Sequence, residues 1–175
     1  SVPRSQIHIM RTDIDPTASA NEYEQILKGY FHGPGSELKT TSQESIPQSK
    51  SPSDNPIPTA VGAVRQSLST FDLVLLGLGD NAHTLSLFPS EAVVHEKDCW
   101  VKAVFVKEVN MQRITLTAPV VNLSSRVAFL VSGTDKADAV SHVFLDEYNP
   151  DLYPAQIIKP VRGNLYWFMD EAAAM

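Results

Sequence analysis

The stretch "DLVLLGLGDNAHTLSLFP", residues 72–89, decides how the chain is read. An apolar run, Leu73-Val74-Leu75-Leu76, empties into Gly77 and Gly79 and then into Asp80, Asn81 and a lone His83. Phe71 to Leu76 has the continuous apolar character of a strand buried on both faces, as parallel sheets require. In open α/β sheets ligands sit outside the carboxyl ends of the strands, so His83 stands where chemistry would be done. Gly77 and Gly79 let the backbone turn sharply and bring amide N–H groups near a ligand. The third glycine of the dinucleotide fingerprint is lacking. Thr84 and Ser86 add hydroxyl donors beside the imidazole. With an unperturbed pKa near ~6.5, His83 can take a proton from water at neutral pH. A loop histidine held only for structure has the same look, and spacing alone leaves both open.

Working outward, Ser5 to Met10 reads as a short strand or an extended entry. In "DPTASANEYEQILKGYF" Asp15 or Thr17 can cap a helix over residues 17–31, Pro16 suits its first turn, and Tyr23, Ile26, Leu27 and Tyr30 recur at helical spacing. Residues 32–58, dense in Ser, Pro and Gly, read as a mobile insertion, closed by a short helix over 59–69. Strands are expected at 100–106, around Ile114 and Leu116, and at 126–132, with a helical turn from Pro119 to Ser124. A helix over 135–148 would turn Ala137, Val140, Val143 and Phe144 to one side. The chain closes with "LYWFMDEAAAM", read as a strand running into a terminal helix. Trp100 and Trp167 lie in apolar runs and are expected in the core. Alternation of strand, loop and helix predicts an α/β fold, layered and Rossmann-like, with a mostly parallel sheet flanked by helices.

Composition narrows the function classes. The 175 residues suit one domain, and 43% hydrophobic with 19% charged residues is ordinary for a globular chain. A formal net charge of -6 leaves no basic footprint for nucleic acid. An anionic ligand must therefore be held by a few local cations. Cys99 is the only cysteine, which excludes an internal disulfide and fits a reducing compartment. His8, His32, His95 and His142 show no metal-ligand spacing. No apolar run reaches the roughly 18 residues of a membrane span, and Ser1-Val2-Pro3-Arg4 is no targeting peptide. The expected setting is the cytoplasm, with neither nucleic acid nor membrane as partner.

Five blocks, "FDLVLLGLGDNAHTLSLFP", "MQRITLTAPVVN", "FLVSGTDKADAV", "YPAQIIKP" and "GNLYWFMDEAAA", in this order, resemble the 6-phosphogluconolactonases. The resemblance runs from Ser1 to Met175 apart from the 32–58 insertion. It implies a fold shared with glucosamine-6-phosphate deaminases and ribose-5-phosphate isomerases. It also implies hydrolysis of 6-phosphogluconolactone to 6-phosphogluconate, the second step of the oxidative pentose phosphate pathway, without a metal or other cofactor. The family motif Gly-x-Gly-x-Asp-Gly-His-Thr puts its water-activating base at His83. Arg113 and Lys136 match the superfamily's phosphate-anchoring cations, one a bidentate grip and one a point charge. A deaminase or isomerase of the superfamily is a further alternative, against which "HTLSLFP" has the lactonase form.

Three departures qualify the resemblance. Asn81 stands where the family has Asp, and a neutral amide should support the imidazole less well than a carboxylate. Ala82 stands where the family has Gly, a residue that suits positive φ or a close ligand. Full members also carry, ahead of the region matching Ser1, a strand with a Gly-Gly-Ser or Gly-Gly-Thr phosphate loop and an Asp-Glu-Arg segment. Neither motif occurs here. The expectation is a single domain incomplete at its N-terminus, with an unpaired sheet edge completed by another chain or segment. The alternative function is a catalytically degenerate module that binds a sugar phosphate or a partner.

Overall fold

Three strands lie side by side in the order β1, β4, β5, all parallel: β1 (Val74–Leu76), β4 (Arg126–Val131) and β5 (Asn164–Met169). The computed structural model describes residues 2–32 and 70–175. The expected insertion and the helix at 59–69 lie outside the described residues, save for His32 at the end of a helix. Leu76 pairs with Phe129, and Val131 with Met169, so the three strands deliver their carboxyl ends to one side. An antiparallel hairpin, β2 (Val101–Val106) and β3 (Met111–Leu116), stands apart from this sheet. Asn110 takes φ 48 in its four-residue turn, a conformation Asn tolerates better than most residues.

Helix α1 (Pro16–His32) starts where its sequence directs. Asp15 Oδ2 accepts the N–H of Ala18 at 2.9 Å, with Pro16 in the first turn. The helix packs on the hairpin. Its buried residues are Ser19, Ala20, Glu24 and Leu27, while Tyr30 faces out against His8. Phe31 closes an aromatic cluster with Phe71 and Trp100. Helices α2 (Ala118–Asn122) and α3 (Ala137–Leu145) follow β3 and β4.

One face of the parallel sheet is covered, and the other is largely uncovered among the described residues. Val74, Leu76, Val127, Phe129 and Val131 are buried, and Trp167 stacks on Phe129 with 3.9 Å between ring centroids. On the opposite face Leu75 is 60% exposed, Leu130 52%, Tyr166 41% and Phe168 59%. The outer edge of β1 has no strand beside it among the described residues.

The α/β reading with a parallel sheet holds, and three local expectations are corrected. At the chain entry, read as a short strand or an extended entry, a 3-10 turn (Arg4–Gln6) leads into extended backbone at Ile7. β1 is buried on one face only, because nothing among the described residues covers Leu73 or Leu75. On α3 the buried residues are Ala139 and Val140, with Phe144 half-exposed against Trp167. No terminal helix forms after β5. Asp170 instead closes a turn by accepting the N–H of Ala173 at 2.9 Å.

Candidate active site

The turn after β1 is wound on itself. The Gly79 N–H donates to the carbonyl of His83 at 2.8 Å, and the Ala82 N–H to that of Gly79 at 3.1 Å. Ala82 is buried at φ 60, costing roughly 1–2 kcal/mol for a residue with a β-carbon. The Ala155 N–H, donating to its carbonyl at 2.9 Å, helps hold it there. This is the positive φ that the family's glycine would suit.

Gly79 permits the approach of the imidazole, since a β-carbon there would meet His83 Nδ1 at 2.0 Å. Its N–H is spent inside the turn and is not aimed at a ligand, contrary to expectation. Gly77 has open space around its α-carbon. Thr84 is buried and donates its hydroxyl hydrogen to the Gly77 carbonyl at 2.9 Å. It braces the turn rather than offering a donor beside the base.

His83 is half-buried, stacked on Phe88 at 3.9 Å between ring centroids. It borders a cleft of about 380 Å³ lined by Leu76, Gly77, Leu78, Gly79, Thr84 and Leu85 among others. Asn81 Oδ1 lies 2.6 Å from its Nδ1 and accepts its backbone N–H at 3.1 Å. The Asn81 amide donates to both carboxylate oxygens of Glu108, at 2.9 and 2.8 Å. Glu108, in the hairpin turn, was not singled out from sequence. An Asn where a carboxylate is expected has an NH2 group in need of an acceptor, but nothing in the chain's spacing says which one.

Burial pushes the His83 pKa below its ordinary 6.5, opposed by the negative charges of Glu108 and Asp80 and reinforced by Lys136 and Arg113. The imidazole is therefore neutral at pH 7 and able to act as a base. The same interactions place both expected cations within electrostatic reach of it. Arg113 is exposed on β3 and forms no ion pair among the described residues. Lys136 ends the 3-10 turn Thr134–Lys136 after β4, its Nζ 2.9 Å from Asp135. Asp170, at the end of β5, accepts the Gly133 N–H at 3.1 Å and so pins the loop that carries Lys136. The Lys136–Asp135 pair is open to solvent on its Asp135 side and correspondingly weak, so an arriving phosphate can compete for the ammonium. His83 and Asn81 follow β1 and Lys136 follows β4 at the carboxyl end of the parallel sheet, with Gly77, Gly79 and Thr84 forming the turn beneath the imidazole, while Arg113 acts on it electrostatically from β3.

Residues 1–167 match the family model described as glucosamine-6-phosphate isomerases/6-phosphogluconolactonase. The 6-phosphogluconolactonase of Nostoc sp. is 34% identical over 173 residues, which is 98% of this chain and 58% of that protein. The 6-phosphogluconolactonase of Homo sapiens is 35% identical over 175 residues, 99% of this chain and 55% of that one. Among solved structures, the devB protein superposes with a TM-score of 0.72 at 24% identity, over 99% of this chain and 60% of its own. The chain spans a little over half the length of these relatives.

Proposed function

Because the chain belongs to the glucosamine-6-phosphate isomerase/6-phosphogluconolactonase family, we propose that it serves the lactonase reaction, the hydrolysis of 6-phosphogluconolactone to 6-phosphogluconate. The observation that carries this reading is the held imidazole: His83 Nδ1 is engaged by Asn81 while Arg113 and Lys136 stand within electrostatic reach. Nε2 of the neutral ring takes a proton from water as its oxygen attacks the lactone carbonyl. The tetrahedral intermediate collapses, the ring C–O bond breaks, and the imidazolium returns the proton to the leaving alkoxide. Arg113 grips the substrate phosphate and Lys136 adds a point charge. The degenerate-module alternative drew on Asn81 and Ala82, yet Asn81 holds the imidazole and Ala82 adopts the conformation its place needs. A cytoplasmic setting fits the lone thiol Cys99, and no helix among the described residues is long and apolar enough to cross a membrane.

The same reading gives residues 1–175 the role of one domain that is completed by further polypeptide of the family. That polypeptide pairs with the outer edge of β1, which has no strand beside it among the described residues, and covers Leu75, Leu130, Tyr166 and Phe168. The apolar face and the β1 edge left uncovered among the described residues support this, as does the length the relatives carry beyond the match.

The test is turnover of freshly generated 6-phosphogluconolactone above its spontaneous hydrolysis. It is run with this chain alone and with the part of the Nostoc relative lying outside the match. Activity abolished by His83→Ala supports the reading, and none in either preparation overturns it. Stable association with that part, broken by Leu130→Glu, supports the completing segment; no association refutes it.

A further inference from the structure

We propose that Glu108 is a positioning residue for His83, acting through Asn81, so that the charge of an orienting carboxylate sits one side chain further out than the family motif has it. The kinetic part of this proposal rests on the lactonase reading above.

Hydrogen-bond inventory carries the argument. An ionised carboxylate only accepts, so the face of the Asn81 amide turned to Glu108 must be its NH2 group. Both Glu108 oxygens lie within 2.9 Å of that nitrogen. Oδ1 then faces His83, where it takes the backbone N–H and lies 2.6 Å from Nδ1. An oxygen at that distance requires the hydrogen on Nδ1, leaving the lone pair on Nε2. Turned over, the amide would donate to Nδ1, move the ring hydrogen to Nε2 and remove the base. Glu108 therefore does more than anchor a loop: together with the His83 backbone N–H on Oδ1, it holds the amide in the orientation that keeps Nε2 basic. As the imidazolium forms, it also supplies the negative charge that Asn81 lacks, weakened by its exposure to solvent. Asp80 acts on the ring with the same sign, and Lys136 and Arg113 with the opposite one.

The relay explains how Asn81 can occupy an aspartate's place, and it makes a counterintuitive demand. Restoring the family's Asp by Asn81→Asp sets two carboxylates against each other across the former hydrogen bonds. The restoration should succeed only with Glu108→Gln, whose amide can donate to the new carboxylate.

The side-chain nitrogen NMR shifts of His83 are followed through pH in the full chain, with the signal assigned by its loss in His83→Ala. The expected result is an Nδ1–H neutral ring in the parent. Glu108→Gln still accepts from Asn81, so it keeps that tautomer but titrates at lower pH. Glu108→Ala also titrates lower and gains the Nε2–H form. In turnover, Glu108→Ala should lose roughly tenfold in kcat with KM nearly unchanged, less than the ~10⁴ lost when a protease histidine loses its orienting carboxylate. The double variant Asn81→Asp/Glu108→Gln should exceed Asn81→Asp alone. An unchanged tautomer and midpoint in Glu108→Ala overturns the proposal, as does strict additivity of the two substitutions. Turnover absent both from the parent chain alone and from the chain with the completing segment defeats only the lactonase reading, because the NMR arm still judges Glu108.

Discussion

Gly79 lies so close beneath His83 that a β-carbon on it would sit 2.2 Å from the ring carbon Cε1. The imidazole occupies space that only a glycine leaves. Gly79→Ala should displace the ring and lower kcat/KM about 100-fold, the scale expected for a misplacement near 1 Å. Gly77→Ala meets nothing within 4 Å, so the fold should tolerate it to within ~1 kcal/mol. Paired lactone-turnover and thermal-melting measurements separate the two glycines, and equal losses of activity and stability in both would defeat the distinction.

Activity should rise with pH along an acid limb set by His83. Its proton affinity is depressed by burial, so the limb falls below the ordinary 6.5. Lys136→Gln and Arg113→Gln each remove a charge that lowers it and should move the limb to higher pH while raising KM. The linked stability has the same sign: with the folded pKa below the unfolded one, it is complete above 6.5 and lost as pH falls through the folded value. Limbs that stay in place in both variants would show that neither cation senses the imidazole.

A second carboxylate governs stability at acid pH. Glu96 Oε1 accepts the backbone N–H groups of Lys97, Asp98 and Cys99 at 3.0, 2.9 and 3.0 Å, and Oε2 lies 3.1 Å from Lys102 Nζ. Chiefly through the Cys99 and Asp98 N–H groups, its pKa is pulled from 4.5 to about 2. The stabilisation is complete above 4.5 and drains as pH falls toward 2. Discounted for the solvent at its edge, it amounts to about 1–2 kcal/mol. Glu96→Gln should melt earlier than the parent at pH 7 and show a shallower acid dependence between these limits.

Neighbours on β4 should respond very differently. Phe129 is fully buried against Trp167, so Phe129→Ala should cost about 3–5 kcal/mol. Leu130, on the bare face, should cost under ~1 kcal/mol in this chain alone. Urea unfolding of both variants measures the contrast, and similar losses would mean that the outer face is covered.

The pattern in residues 71–148 carried the parallel sheet, because long apolar runs punctuated by glycine admit few other readings. Asp15 and Pro16 likewise marked the start of α1. Burial was less legible: the run through Leu75 looks identical whether or not a layer covers it, and Tyr30 keeps helical spacing while facing out. "EAAAM" has helical propensity, but the Asp170 carboxylate takes the N–H of Ala173 and closes a turn there instead. At the site, the local motif exposed His83, Asn81 and Ala82, while Thr84's hydroxyl went to a backbone carbonyl no pattern reveals. Glu108 was invisible because its link to Asn81 spans 27 positions.

That span gives the hairpin turn Lys107–Asn110 an unusual history to answer for. Surface turns are where chains ordinarily gain and lose residues without penalty. One added residue here would carry Glu108 out of register with Asn81 while leaving the strands of the hairpin intact. Length variation in this turn should consequently track the identity of residue 81 through descent: lineages with an amide there are bound to a turn of fixed length, and those with a carboxylate are free to vary it.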